Sequence, residues 1–185
     1  IERKIAELID KGNVVGRFNG KMEYGQRALG NRSILYNPRK KEVNDWLNKR
    51  LKRTEFMPFA PSTLKEAVGK CFTGFEGGEH AAEFMTITFN VTPWFAKMCP
   101  AVTHIDGTAR PQLVSKETNP SYYKIIKEYE KISGIPTIVN TSYNMHEEPI
   151  VCSPEDAIRS FKDGNLDYLA IGNFLVRNEN VTQHS

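Results

Sequence analysis

Ile1, Ile5, Leu8 and Ile9 recur at i, i+4, i+7 and i+8, a spacing that predicts an amphipathic helix ending near Gly12. The stretch NVVGRF (13–18) follows as a strand. Val43, Trp46, Leu47 and Leu51 share a helical face in a second amphipathic segment, 41–52, which breaks toward Pro58 and Pro61. A further helix is expected from Ser62, where Glu66 and Lys70 fall four apart. Residues 74–83 read as an exposed loop, and MTITFNV (85–91) alternates as a half-buried strand. Residues 92–101 read as a loop, and 104–114 as a strand interrupted by Gly107 and Pro111. Tyr122, Ile125, Ile126 and Tyr129 mark a helix over 120–132, stopped by Gly134, and IPTIVN (135–140) a short buried strand. Ser153 as N-cap, Pro154 at the first helical position and acids in the first turn open another helix. DYLAIGNFLV closes the pattern as one or two strands. Strands and helices mix without strict alternation, which predicts an α/β (α+β) sheet with helices packed on it, in one domain covering 1–185.

With 185 residues, 39% hydrophobic and 25% charged, the chain is rich enough in apolar side chains to exclude disorder, and no apolar run approaches the roughly 18 residues of a membrane span. Its first residues lack the apolar core and small-residue cleavage site of a secretion signal, so the reading is cytoplasmic, with no membrane partner. A start at Ile1 rather than Met suggests a fragment of a longer protein. Cys71, Cys99 and Cys152 are odd in number and widely spaced, and the histidines do not fall at ligand spacing, so neither a disulfide framework nor a metal site is expected.

Charge changes the picture more. From Arg27 to Arg53 nine basic residues stand against Glu42 and Asp45, an excess of seven inside a chain whose net charge is only +3. Such a basic pole suits a polyanionic partner, either a phosphorylated substrate or a nucleic acid backbone. For Lys40, Lys41, Lys49 and Arg50 the helical spacing suits a solvated face equally well.

Four constellations could carry chemistry. GKMEYGQRALGNRS (20–33) places three glycines, Arg27, Arg32 and Glu23 in one loop, and arginine offers a planar fork of donors that fits phosphate or carboxylate oxygens. Glu23 could orient one of the arginines. LKRTEFMPFAPS (51–62) sets Lys52 and Arg53 before a proline-stiffened apolar stretch, where fixed cations would stabilise charge on phosphate oxygens; cations at a helix C-terminus fit it too. DGTARPQ (106–112) contributes Arg110. NTSYN (140–144) follows an apolar strand, where ligands gather in α/β sheets, and its amide and hydroxyl groups suit a carbamoyl or ribose group as well as a plain turn. Phosphate-loop, dinucleotide-binding and nucleophile-elbow motifs are missing.

GKMEYGQRALGNRSIL, VNDWLNKRLKRTEFMPFAPS, HIDGTARPQLV, IPTIVNTSYNMHEEPIVCSPEDAIRSF and LAIGNFLV, in that order, resemble the C-terminal domain of the O-carbamoyltransferases acting on nodulation factors and on cephamycin- and tobramycin-type antibiotics. The resemblance runs from about Val14 to Val176. It implies a YrdC-like fold, a twisted mixed sheet with helices packed on it. It also implies binding of ATP, accompanied by Mg2+, and carbamoyl phosphate to form carbamoyl-adenylate, with an N-terminal actin-like domain passing the carbamoyl group to an acceptor hydroxyl. By the same resemblance Lys52, Arg27 and Arg110 are catalytic, while Arg32, Arg53, Asn140, Thr141, Ser142 and Asn144 bind substrate or nucleotide. Met57 stands where family members often carry a basic residue, and Arg53 is the candidate substitute. An RNA- or tRNA-binding YrdC-like module is the alternative that the basic pole leaves open, although the chain lacks interleaved exposed aromatics and nucleic acid is the less favoured partner.

Overall fold

A computed structural model describes residues 1–51 and 59–180, apart from the side chains of residues 43 and 44. The first apolar stripe forms α1 (Glu2–Asp10), which buries Ile5, Leu8 and Ile9. The chain then enters β1 (Val15–Phe18), crosses a long loop, and returns as β2 (Arg32–Tyr36) and α2 (Val43–Arg50). Beyond lie β3 (Ala60–Leu64), α3 (Val68–Cys71), β4 (Phe72–Thr73), α4 (Glu79–Ala82), β5 (Phe89–Val91), α5 (Pro93–Met98), β6 (Thr108–Ala109) and β7 (Gln112–Val114). α6 (Pro120–Ser133), β8 (Thr137–Ser142), α7 (Pro154–Asp163), β9 (Tyr168–Ile171) and β10 (Phe174–Arg177) complete the order.

Seven strands form one mixed sheet in the order β10-β9-β1-β2-β8-β3-β7, in which β1 runs parallel to β9 and β3 parallel to β7 while the other neighbours are antiparallel. Strand alternation sends Arg17 toward α6, where it meets Ser121, and Gly16 toward Tyr143 and Leu166 on the opposite face. α1 packs with α6 on the first face. On the second, Trp46 of α2 meets Tyr36 edge to face at 5.4 Å and the Tyr143 hydroxyl donates to the Ala157 carbonyl of α7. β4, β5 and β6 make a small antiparallel sheet whose Phe72 packs on Phe95 of α5 at 4.9 Å.

α1, α6 and α7 match their sequence signals, including the capping box of Ser153 and Asp156 and the left-handed cap at Gly134. The helix expected from Ser62 starts later, because Ser62 and Thr63 pair with Ile138 and Thr137 of β8 inside the large sheet. The strand expected over 85–91 is confined to β5, since Met85 turns the chain at φ 56°. The segments 74–83 and 92–101, read as loops, contain α4 and α5; α5 opens with Thr92 as N-cap and Pro93 behind it, the same start that marked α7. Cys71 and Cys99 are buried and Cys152 is exposed.

Candidate active site

The loop between β1 and β2 carries the densest sequence motif, and its own side chains hold its shape. One oxygen of Glu23 accepts the backbone N–H groups of Leu29 (2.8 Å), Asn31 (2.6 Å) and Arg32 (3.3 Å), and the Gly30 N–H donates to Ser33 Oγ at 2.9 Å. A charged acceptor shared by three donors fixes the loop backbone more firmly than neutral contacts would. Gly30 itself sits at φ 114°, and a Cβ added there would lie 2.4 Å from Cδ1 of Tyr122, so the loop can approach α6 only without a side chain. Glu23, proposed from sequence as an orienter of arginine, therefore works on the backbone around Arg27.

Two amides from distant strands complete the clamp. Asn140 Nδ2 is shared by the Ala28 carbonyl (3.0 Å), Ser62 Oγ (3.0 Å) and Gln112 Oε1 (3.1 Å), and Gln112 Nε2 donates to the Leu29 carbonyl at 2.8 Å. Residues 28 and 29 are thus pinned immediately after Arg27. Arg27 then lines a cleft of about 450 Å3 with Tyr24, Leu29, Phe84, Met85 and Arg110, and no acidic residue lines it. Burial, and secondly the like charge of Arg27, holds the Arg110 guanidinium below the ordinary arginine range. Two cations in partial desolvation with no lining carboxylate form a site that an anion would relieve.

The remaining sequence candidates divide. Arg32 is buried, its guanidinium 3.6 Å from the Phe18 ring centroid, and it donates to the carbonyls of Asn19 (3.0 Å), Gly20 (3.1 Å) and Asn31 (3.0 Å), so it braces the loop from within. Thr141 and Ser142 are the last residues of β8, opposite Ile34 and Ser33, rather than members of a turn. Asn144 ties the following turn by donating to the carbonyls of Met145 and Glu148, each at 2.9 Å. Ser142 adjoins Ser33, the residue that receives the Gly30 N–H, so it borders the loop's exit. Lys52, Arg53 and Met57 lie outside the described residues.

Sequence reasoning missed Arg17, Gln112, Phe84 and Met85. Arg17 is 2% exposed, donates to the Gly30 carbonyl, Asn31 Oδ1 (3.2 Å) and Ser121 Oγ (2.9 Å), and is held down to about 10 chiefly by burial. Its one signal was a charged residue inside an apolar strand. Gln112 closes the motif that supplied Arg110 but was given no role there, and Phe84 and Met85 had no signal because their segment read as a loop and a strand edge. Among the described residues there is no cluster of three or more His, Cys, Asp or Glu side chains suited to a metal, and no helix is long and apolar enough to cross a membrane.

Comparison with known proteins bears on the chain as a whole. Residues 6–178 match the family model described as carbamoyltransferase C-terminus. The chain is 44% identical over 173 residues to an uncharacterized protein of Methanocaldococcus jannaschii, covering 93% of this chain and 28% of that one. It is 42% identical over 178 residues to nodulation protein NolO of Bradyrhizobium diazoefficiens, covering 96% of this chain and 32% of the relative. The chain thus spans about a third of the length of the curated relatives it matches. Among solved structures, full-length HypF in its phosphate- and nucleotide-bound form superposes with a TM-score of 0.67 at 22% identity, over 93% of this chain and 25% of that one. HypF of T. kodakarensis gives a TM-score of 0.63 at 24% identity, over 96% of this chain and 20% of the other. The YrdC-like mixed sheet expected from the resemblance is the fold observed.

Proposed function

Because the chain belongs to the carbamoyltransferase C-terminus family, we propose that it is the carbamoyl-activating domain of an O-carbamoyltransferase, taking ATP with Mg2+ and carbamoyl phosphate as substrates and forming carbamoyl-adenylate in the arginine cleft. In this reading residues 1–185 are one domain of a cytoplasmic protein, and an N-terminal actin-like domain receives the activated group and passes it to an acceptor hydroxyl. The observation that carries the proposal is the convergence of Arg27 and Arg110 on a single cleft with no lining carboxylate.

Carbamoyl phosphate, after losing its phosphate to water, supplies a carbamate oxygen that is already anionic, so no general base is needed to deprotonate it. That oxygen bonds to the α-phosphorus of ATP as the bond to the β-phosphate breaks, and pyrophosphate leaves. Reactants of like charge must be brought together and further negative charge accommodated on the equatorial oxygens, which is work for positioned cations. Arg27 and Arg110 perform it, Arg27 from a backbone that Glu23, Asn140 and Gln112 fix beforehand, so little reorganisation of that loop accompanies the reaction. Lys52 adds a further cation, Arg53 its neighbour, and Ser142, Thr141 and Asn144 hydrogen-bond the carbamoyl or ribose groups. Arg32 contributes by keeping the loop in register.

Pyrophosphate release from ATP, measured with and without carbamoyl phosphate, tests the assignment. Arg110→Ala should lower the carbamoyl phosphate-dependent rate about 100-fold or more, the usual effect of removing one donor aimed at developing charge. A rate equal to the parent's would sink the proposal.

A further inference from the structure

A second cationic cleft lies at the other end of β2. Tyr36, at the end of that strand, is four residues from Arg32, a separation of roughly 13 Å at strand rise. The cleft has a volume of about 660 Å3, and Lys11, Tyr36, Lys40, Trp46, Lys49 and Arg50 line it. It shares no lining residue with the arginine cleft. Lys11 follows α1, Lys40 lies in the turn before α2, and Lys49 belongs to α2, so three separate segments aim ammonium groups at one space. A merely solvated helix face would draw its cations from one element, and that reading does not account for Lys11 or for the aromatic wall.

Asp167 is the acidic residue of the lining, and it is already engaged: Oδ1 lies 3.4 Å from Arg50 Nη1, while Oδ2 accepts the Val14 N–H at 2.7 Å. Arg50 also lies over the Trp46 ring, 4.9 Å from its centroid, and Tyr36 meets the same ring. Arg50, Trp46, Tyr36 and Asp167 therefore form a pre-set floor. Among the described residues no carboxylate lies within ion-pairing distance of Lys11, Lys40 or Lys49. With four cations and one carboxylate, the lining carries a net charge of +3.

We propose that this cleft is a binding site for a nucleotide, with its phosphates on Lys11, Lys40 and Lys49 and its ring system against the Tyr36–Trp46 wall. The volume lies in the range of small-molecule sites, well above what a lone phosphate fills. A charge of +3 balances that of a nucleoside diphosphate near neutral pH, and lysine meets phosphate as a point charge without needing a fixed fork. The wall supplies what an inorganic anion would leave unused, an apolar and aromatic surface.

The site stands apart from the carbamoyl-activating reading, and the test keeps the two separate. ADP is titrated calorimetrically into the protein carrying Arg110→Ala, and into the same protein with Lys40→Ala and Lys49→Ala added; both lysines are exposed, and circular dichroism confirms the fold. The lysine pair should weaken ADP about tenfold or more, as loss of a charge-assisted phosphate contact does. Inorganic pyrophosphate should bind at least about fivefold more weakly than ADP. Unchanged ADP affinity on removing the lysines would overturn the site, and pyrophosphate binding as tightly as ADP would overturn its assignment to a nucleotide. Short single-stranded RNA displacing ADP at lower concentration than ADP itself binds would move the cleft to nucleic acid and overturn the proposal too.

Discussion

Arg27 stands on a loop whose carbonyls end on Asn140 and Gln112 and whose N–H groups end on Glu23, whereas Lys11, Lys40 and Lys49 reach their cleft on flexible stems from exposed positions. Both clefts are cationic. The first fixes the backbone beneath its charges, which suits a reaction whose charge appears briefly and must be met without delay. The second leaves its ammonium groups to settle around whatever arrives, which suits binding and not bond-making. On these two proposals similar net charge would serve two ends, and the hydrogen bonds beneath the charge tell the clefts apart.

The sharpest way to break that contrast is through Gly30. Gly30→Ala would force a Cβ into Tyr122 at a left-handed φ, and should lower stability by about 2–4 kcal/mol, read as a shift in the urea midpoint. It should also lower carbamoyl phosphate-dependent pyrophosphate release, because the loop bearing Arg27 must move. An unchanged midpoint would mean that the loop is not clamped. Glu23→Ala follows, at about 2 kcal/mol, since three backbone N–H groups lose one charged acceptor, while Glu23→Gln keeps an acceptor and should cost about half as much.

Away from either cleft, Ser153→Ala removes the N-cap of α7 and should cost about 1 kcal/mol with no effect on ADP binding. The backbone N–H groups of Ser153 and Cys152 hold the exposed Asp156 carboxyl below its usual range, so its support of α7 is present at neutral pH and fades as pH falls through that lowered value. A urea midpoint that falls on acidification in the parent, and less so in Asp156→Asn, checks the sign. Smallest of all, Lys40→Ala with Lys49→Ala should change stability by less than about 0.5 kcal/mol and leave pyrophosphate release within about twofold, as solvated cations outside the reaction would. A large loss of release would join the two clefts into one machine.

The helices with local punctuation were legible in the sequence: α1 by its apolar stripe, α6 by its stripe and Gly134, α7 by Ser153-Pro154. β3 was not, because Ser62 and Thr63 become strand through partners on β7 and β8 50 or more residues away, which no local spacing encodes. α5 was legible in principle, since Thr92-Pro93 repeats the signal read correctly at Ser153-Pro154. Of the candidate cleft, Arg27 and Arg110 were singled out through their motifs. Their convergence was not, because it depends on Gln112 and Asn140 reaching back to Leu29 and Ala28. The basic pole between Arg27 and Arg53 appeared as one feature in the sequence, yet the fold sends Arg27 to one cleft and Lys40, Lys49 and Arg50 to the other.

The clamp on the Arg27 loop also sets a timetable for synthesis. Gln112 lies 83 residues beyond the carbonyl it binds, and Asn140 lies 112 residues beyond its own. At roughly 5–20 residues per second, on the order of ten seconds separates the emergence of the loop from that of its last tether. Until Gln112 emerges the loop has only its own and its flanking residues to hold it, Glu23 with its three N–H partners and Arg17 of β1 on the Gly30 carbonyl. The cleft is therefore completed only as β8 docks between β2 and β3, so truncated or stalled chains ending between Arg110 and Asn140 carry both arginines but no finished pocket.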